Sequence, residues 1–277
     1  MSGHRVRRRP PHGSKPPSSE RQHDQPSHGR LRCDHSLWRP GTRLKSVLSD
    51  RPKPMADIHG RPFVSLIVDQ FRRHGARRFI FCTGYMGEII EQWFLRPRQG
   101  YETLFAQDPS PLGTGGALAA AMRVVRSSPF WILNGDSLCE LDPERVLRFH
   151  LRKRALATMA LTEADSRQDT GAVGLGADER VLSMVEKPRT RTTRYQNAGV
   201  YLFDRSVSAH FPDKPSWSLE QELLPELVAS QLYGFVTAGP LYDIGTPERL
   251  EHFRQTWRDV GPSRSALEFL ERKAVAT

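Results

Sequence analysis

The chain has 277 residues, 26% of them charged and 38% hydrophobic, which is enough to bury a sizeable core as one large domain with or without a small appendage. Its formal net charge is +10, but eleven Lys and Arg against three acids before residue 46 account for +8 of it. The remainder is nearly balanced and lacks the clustered basic residues and aromatic platforms of a nucleic-acid surface, so no nucleic-acid partner is expected. No apolar run approaches the roughly 20 residues that span a bilayer, and the apolar core of a secretion signal is missing, so no membrane association is expected. Cys33, Cys82 and Cys139 are dispersed and form no CxxC pair, which reads as reduced thiols in a cytoplasmic protein.

Residues 1–40 are Arg, Pro, Ser and His with almost no aliphatic content. Such a segment cannot bury enough surface to offset its ordering entropy, and disorder is expected. A basic tail for anionic partners competes with that reading; an organellar transit peptide is weaker because prolines spoil an amphipathic helix. Next comes GTRLKSVLSDRPKPM, residues 41–55, in which Pro52 and Pro54 bracket Lys53. Proline fixes its own φ and biases the preceding residue towards extended backbone, so the bracket should aim the ammonium at a fixed point. With Arg43 the segment offers a planar fork and a point charge for phosphate oxygens, against the plainer reading of a solvated basic loop.

Residues 62–74 have apolar positions at helical spacing and Gly75 as a stop, and predict an amphipathic helix. RRFIFCT then reads as a strand, residues 87–94 as a helix and ETLFAQ as a strand, an alternation that implies a parallel sheet with crossover helices. In PSPLGTGGALAAAM, residues 109–122, Gly113, Thr114, Gly115 and Gly116 stand directly before an alanine-rich helix. A flat ligand can approach backbone closely there, although an ordinary strand-to-helix turn has the same composition. FWILNGDSL predicts a buried strand that delivers Asp136 at its carboxyl end, where ligands of open α/β sheets bind; helix capping is the rival role for that carboxylate.

A helix over 143–153 precedes strands in ATMALTEAD and GAVGLG. VLSMVEKP brings Glu186 and Lys187 to the end of another strand, where a surface ion pair is the bland alternative, and NAGVYLF follows. Residues 217–228 predict a helix with Ser218 as N-cap and Gln221 completing a capping box. In LYDIGTPERL, Asp243 follows a short apolar piece, Gly245 turns the chain, and Thr246 with Pro247 opens a helix, so Asp243 also has a capping alternative. Residues 264–273 look helical and peripheral.

GTRL followed by KPM resembles the signature of the sugar-1-phosphate nucleotidyltransferases, Gly-Gly-X-Gly-Thr-Arg-Leu and then Lys-Pro-Met, and the resemblance runs to about Glu248. It implies a glycine loop wrapping nucleotide phosphates with Gly41 and Thr42, and cations Arg43 and Lys53 acting on the transferring and leaving groups. It implies base contacts from Gln107, Gly113, Thr114 and Gly115, and Mg²⁺ held by Asp136 and Asp243. Gly171, Glu186, Lys187, Asn197 and Gly199 would meet the sugar phosphate. GTRLKSV, PLGTGG and DIGTPE look most like the heptose 1-phosphate guanylyltransferases, with the mannose 1-phosphate enzymes close behind.

One departure is serious. The paired glycines of the signature should fall at positions 38 and 39, where this chain has Trp38 and Arg39, with Pro40 next. The family also has an apolar strand where this chain has Cys33, Asp34, His35 and Ser36. Those four can be encoded TGY GAY CAY TCN, and reading one base later permits Ala or Val, Ile or Thr, Ile or Thr, and Leu. An out-of-frame start would account for both the lost strand and the lost glycines.

The expected fold is α/β: a Rossmann-like, mostly parallel sheet flanked by helices, with a small β-rich sugar-binding part. Residues 1–40 form a tail, 41–260 the nucleotidyltransferase domain and 261–277 a peripheral helix. The expected reaction joins a sugar 1-phosphate to a nucleoside triphosphate, GTP favoured, with Mg²⁺, in the cytoplasm; a homo-oligomer is left open. Two rivals stand beside it: a sugar-phosphate-binding protein of the same fold that has lost the triphosphate loop, and, more weakly, a basic-tailed nucleic-acid binder.

Overall fold

The structure is a computed structural model that describes residues 34–37 as backbone, then 48–95, 100–107, 111–165, 169–186, 188 and 193–257. Gly41, Thr42, Arg43, Lys187 and the expected helix at 264–273 lie outside the described residues.

Strand β1 (Asp34–Leu37) comes first, then a 3₁₀ turn at Lys53–Met55 and a hairpin of β2 (Asp57–Ile58) and β3 (Arg61–Pro62) that leads into α1 (Phe63–Arg73). Strands and helices then alternate through β4 (Arg78–Thr83), α2 (Gly87–Phe94), β5 (Glu102–Gln107), α3 (Gly113–Ala121) and β6 (Phe130–Leu133). Short β7 (Ser137–Cys139) and α4 (Pro143–Lys153) precede β8 (Ala157–Glu163), β9 (Ala172–Leu175), β10 (Val181–Val185) and β11 (Tyr195–Phe203). A π-helical turn at Leu219–Leu223 runs into α5 (Leu224–Leu227), and β12 (Leu232–Val236), β13 (Leu241–Asp243) and α6 (Pro247–Thr256) follow.

The main sheet has the order β10-β9-β11-β6-β1-β4-β5, with β8 on β11 and β12 on β8. Strands β6, β1, β4 and β5 are mutually parallel, the half expected from the β-α alternation. Strand β11 runs antiparallel to β6, β8 and β9 and joins that half to the β-rich part.

Both faces of the parallel half are covered, and the two-residue period of a strand sorts side chains between two cores. Phe79, Phe81, Trp131 and Leu133 face one way, with Phe71 of α1 and Phe94 of α2; Ile80, Cys82, Phe130 and Ile132 face the other, with Ala117 and Leu118 of α3. Phe71 meets Trp131 edge-on at 5.2 Å between ring centroids, a geometry that adds to the apolar burial of both rings.

Two expectations are corrected. Strand β1 lies inside the 1–40 segment expected to be disordered, because its backbone is hydrogen-bonded on both sides: His35 pairs with Phe79 and Trp131, and Ser36 with Ile80 and Ile132. A sequence poor in apolar residues thus occupies the middle of a parallel sheet. The helix expected over 217–228 is a π turn and one α turn. Ser218 does cap it, its Oγ accepting from Gln221 N at 3.2 Å, but the carboxylate that accepts from Ser218 N is Glu222, at 3.0 Å. Pro225 cannot donate to a helical ladder, and the wider turn ahead of it shifts the reciprocal partner by one residue.

His150 is buried in α4, its Nδ1 2.9 Å from Thr158 Oγ1, and burial pushes its pKa down to about 4. An unfolded chain takes up this proton near pH 6.5, so stability is full above that value and falls as pH drops towards 4, by about 3 kcal/mol for this group. Urea unfolding at pH 7 and pH 4.5 should show His150→Asn losing less stability on acidification than the unaltered chain; equal losses would refute the assignment. In the central strand, His35→Ile with Ser36→Ile should raise Tm by several degrees, at about 2–4 °C per kcal/mol for a chain of this size. An unchanged or lowered Tm would show that β1 does not need apolar residues.

Candidate active site

The turn at Lys53–Met55 is closed by Met55 N donating to Pro52 O at 2.8 Å and Ala56 N to Lys53 O at 3.0 Å. Lys53 therefore starts a tight turn, where extended backbone was expected; the hydrogen bonds of the turn outweigh the bias exerted by Pro54. Pro54 packs on the Asn-Gly-Asp turn after β6: a Cβ at Gly135 would lie 3.2 Å from Pro54 Cγ, so a larger residue would press on the ring. That contact brings the two segments together, and Lys53 Nζ donates to Asp136 Oδ2 at 2.7 Å with both side chains only 7% exposed.

A second carboxylate arrives through a two-stranded sheet. Strand β13 runs antiparallel to β7 with Asp243 opposite Ser137, and Ile244 N donates to Asp136 O at 3.1 Å. Ser137 Oγ lies 3.4 Å from Asp136 Oδ1 and 3.3 Å from Asp243 Oδ2, so one hydroxyl spans both carboxylates. Asp243 Oδ1 accepts from Gly245 N at 2.8 Å and from Arg249 Nη1 at 2.9 Å. Arg249 also donates from both Nη atoms to Asp169, at 2.8 and 2.9 Å, and these bonds with Asp243 hold its pKa well above the usual arginine value.

Asp136 Oδ2 is thus engaged by Lys53 and Asp243 Oδ1 by Arg249, while the other oxygen of each faces a shared hydroxyl. Two hard-oxygen donors suit a small divalent cation that draws its remaining ligands from phosphate and water. The described residues include no group of three or more His, Cys, Asp or Glu placed to hold a metal, and a two-carboxylate site does not require one.

The sugar-side candidates converge in part. Asn197 N donates to Gly171 O at 2.9 Å, and a Cβ at Gly171 would sit 3.0 Å from Glu186 Oε2 and 3.5 Å from Asn197 Cβ. Asn197 is partly committed within the protein, with Oδ1 accepting from Gly199 N at 2.9 Å and Nδ2 donating to Tyr201 OH at 2.7 Å. Gly199 has φ +70°, and a Cβ there would come within 2.5 Å of Asn134 Nδ2, so its missing side chain accommodates Asn134. Asn134 N in turn donates to Gly199 O at 2.9 Å, which ties β11 to the turn that carries Asp136.

The Gly-Thr-Gly-Gly stretch packs against another part of the chain. Its glycines occupy the first turn of α3, and the 215–217 segment lies against them: a Cβ at Gly115 would fall 1.8 Å from the Trp217 ring, and one at Gly113, 2.4 Å from Trp217 O. Thr114 Oγ1 donates to Glu220 Oε2 and accepts from Leu219 N, each at 2.8 Å. The close approach that demands glycine is made by the chain's own tryptophan. Gln107, the last residue of β5, pairs in register with Thr83 at the end of β4, and its Nε2 donates to Glu91 Oε1 at 2.7 Å.

Ser137, Arg249, Asp169, Asn134 and Glu91 were not anticipated. Arg249 alone left a trace, standing one turn into the helix that Thr246 and Pro247 open just after Asp243.

A family model described as nucleotidyl transferase matches residues 40–274. The chain is 32% identical over 212 residues to the mannose-1-phosphate guanylyltransferase of Mycobacterium tuberculosis, covering 75% of this chain and 59% of that protein. It is 32% identical over 209 residues to the D-glycero-alpha-D-manno-heptose 1-phosphate guanylyltransferase of Aneurinibacillus thermoaerophilus, covering 75% of this chain and 90% of that one. Crystal structures of HddC from Yersinia pseudotuberculosis, one of them complexed with GMP-PN, superpose with TM-scores of 0.72 and 0.71 at 30% identity, covering 82% of this chain and all of HddC.

A buried ion pair adds little net stability, yet removing one partner strands the other charge. Lys53→Met should therefore cost about 3–5 kcal/mol, and so should Asp136→Asn. Denaturant titration of Lys53→Met/Asp136→Leu should recover most of the loss; a double variant as unstable as the sum of the singles would show that the two groups are not coupled.

Proposed function

The chain belongs to the nucleotidyl transferase family, and on that premise we propose that it joins a sugar 1-phosphate of heptose or mannose type to GTP, releasing pyrophosphate. The observation that carries the reading is the convergence of Lys53, Asp136 and Asp243, from three distant segments, at the carboxyl end of the parallel strands. The relatives named as guanylyltransferases support GTP. The chain spans 59% of the mannose relative's length and 90% of the heptose relative's.

In this reading a phosphate oxygen of the sugar 1-phosphate attacks the α-phosphorus and pyrophosphate leaves in line. No protein nucleophile is needed, because such transfers depend on positioning and charge neutralisation. Lys53, held rigid by its turn and its ion pair, presents positive charge to the transferring group, and Arg43 does so from the segment before it. Lys187 holds the attacking phosphate against its repulsion from the triphosphate. In the same reading Glu186, Gly171, Asn197 and Gly199 would serve the sugar phosphate, and Gly41, Thr42, Gln107, Gly113, Thr114 and Gly115 the nucleotide. Mg²⁺ bound by Asp136 and Asp243 would supply neutralisation and orientation of the triphosphate oxygens. No helix among the described residues is long and apolar enough to cross a membrane. From the free thiols of Cys82 and Cys139 we place the reaction in the cytoplasm.

A second reading rests on Trp38, Arg39 and Pro40: bulky side chains and a missing N–H replace the glycines of a phosphate loop, so the chain would keep the sugar pocket without turning over triphosphate. A pyrophosphate-release assay over GTP, ATP and UTP with heptose, mannose and glucose 1-phosphates separates the two. GTP with the heptose or mannose phosphate should give turnover, reduced at least about 100-fold in Asp243→Asn. Absence of turnover with every pair, while calorimetry still registers sugar phosphate, would establish the second reading.

A further inference from the structure

Strand β13 ends at Asp243, and the first turn of α6 brings Arg249 back to the same carboxylate. Thr246 caps that turn, its Oγ1 accepting from Arg249 N at 3.3 Å, so the backbone of Arg249 is held as well as its side chain. Asp243 Oδ1 accepts from Gly245 N at 2.8 Å and from Arg249 Nη1 at 2.9 Å. A carboxylate oxygen has two lone pairs, and two donors at normal length use both. Asp243 Oδ2 lies 3.3 Å from Ser137 Oγ, a long contact to a hydroxyl that also faces Asp136 Oδ1 at 3.4 Å and has a single proton for the two. Asp136 follows the same pattern, with Oδ2 taken by Lys53 at 2.7 Å. Arg249 is itself gripped: its two Nη atoms donate to both oxygens of Asp169, and the side chains of Arg249, Asp169 and Asp243 are only 27%, 23% and 18% exposed. Each carboxylate thus has one oxygen committed to a cation of the protein and one turned towards the other carboxylate.

We propose that Arg249, pinned by Asp169, limits Asp243 to donating one oxygen to a metal ion and thereby makes the site select Mg²⁺ over Ca²⁺. The inference rests on the reading of Asp136 and Asp243 as the Mg²⁺ carboxylates, and adds a residue that sets which divalent ion they accept. Mg²⁺ demands a near-ideal octahedron of single oxygens at short distance, whereas Ca²⁺ takes roughly six to eight oxygens and often both oxygens of one carboxylate. A carboxylate with one oxygen saturated meets the first demand and fails the second. Arg249 acts through Asp243 and is a positioning residue. Its charge alone would not discriminate: Mg²⁺ and Ca²⁺ carry the same charge, so removing a neighbouring cation moves both affinities alike and leaves their ratio. The ratio reports the geometry.

Calorimetric titration of the full chain with the α,β-methylene analogue of GTP, which cannot release pyrophosphate, reads that ratio when performed in saturating Mg²⁺ and in saturating Ca²⁺. The unaltered chain should bind the analogue about tenfold or more tightly with Mg²⁺ than with Ca²⁺. Arg249→Met frees a lone pair on Asp243 Oδ1, and the two affinities should come within about twofold of each other, chiefly through tighter binding with Ca²⁺. Asp169→Asn loosens the grip on Arg249 without touching Asp243 and should lower the ratio about threefold, which carries the test if Arg249→Met does not fold. An unchanged ratio in either folded variant, no preference for Mg²⁺ in the unaltered chain, or binding that needs no metal would each overturn the proposal. Pyrophosphate release from GTP in Mg²⁺ with an unchanged ratio would sink this inference and leave the transferase reading standing; a ratio that collapses in Arg249→Met, with no turnover of any sugar phosphate, would do the reverse.

Discussion

The ion pair between Lys53 and Asp136 is the constraint on which the arrangement of this protein depends. Both charges are buried, and charges removed from water are tolerated only when partnered and hydrogen-bonded. Meeting that condition requires the turn that starts at Lys53, the turn that follows β6 and the packing of Pro54 on Gly135 to agree to within a fraction of an ångström. Apolar residues there would cost less to bury. A charged pair at the open end of a parallel sheet is better explained by ligand chemistry than by stability.

From that pair the site extends by short polar links. Ser137 reaches both Asp136 and Asp243, Arg249 joins Asp243 to Asp169, and Asp169 stands two residues before Gly171, which touches Glu186 and Asn197. Asn134 links the same turn to β11 from the other side. The two carboxylates and Gly171, Glu186 and Asn197 thus belong to one connected rim, built from segments far apart in sequence. Its guanidinium bridge spans the loop before β9 and the helix after β13, so the β-rich part is braced against the parallel half at the level of the chemistry.

The glycines show how one residue type serves different ends. Gly135 admits Pro54, Gly199 adopts a left-handed backbone beside Asn134, and Gly115 gives way to the Trp217 ring. In each case the space left by the absent side chain is filled by another part of the chain, and the closely approached partner is protein.

Much of the architecture could be read from local pattern. The helices at Gly87–Phe94 and Pro143–Lys153 and the strand at Glu102–Gln107 follow from apolar periodicity and turn residues that act over a few positions. Lys53, Asp136 and Asp243 were legible because each sits in a short motif, and their meeting across 83 residues of separation for the first pair was implied by resemblance to a family. Pairwise partners at long range leave no such local signal. Nothing around Arg249, Asp169 or Glu91 announces which side chain it will meet, since a charged residue on an exposed helix face and one aimed across a cleft have the same neighbours in sequence. Strand β1 is the sharpest case: its composition argues against order, and its placement comes from the backbone ladders of β4 and β6, a contribution that side-chain patterning does not record.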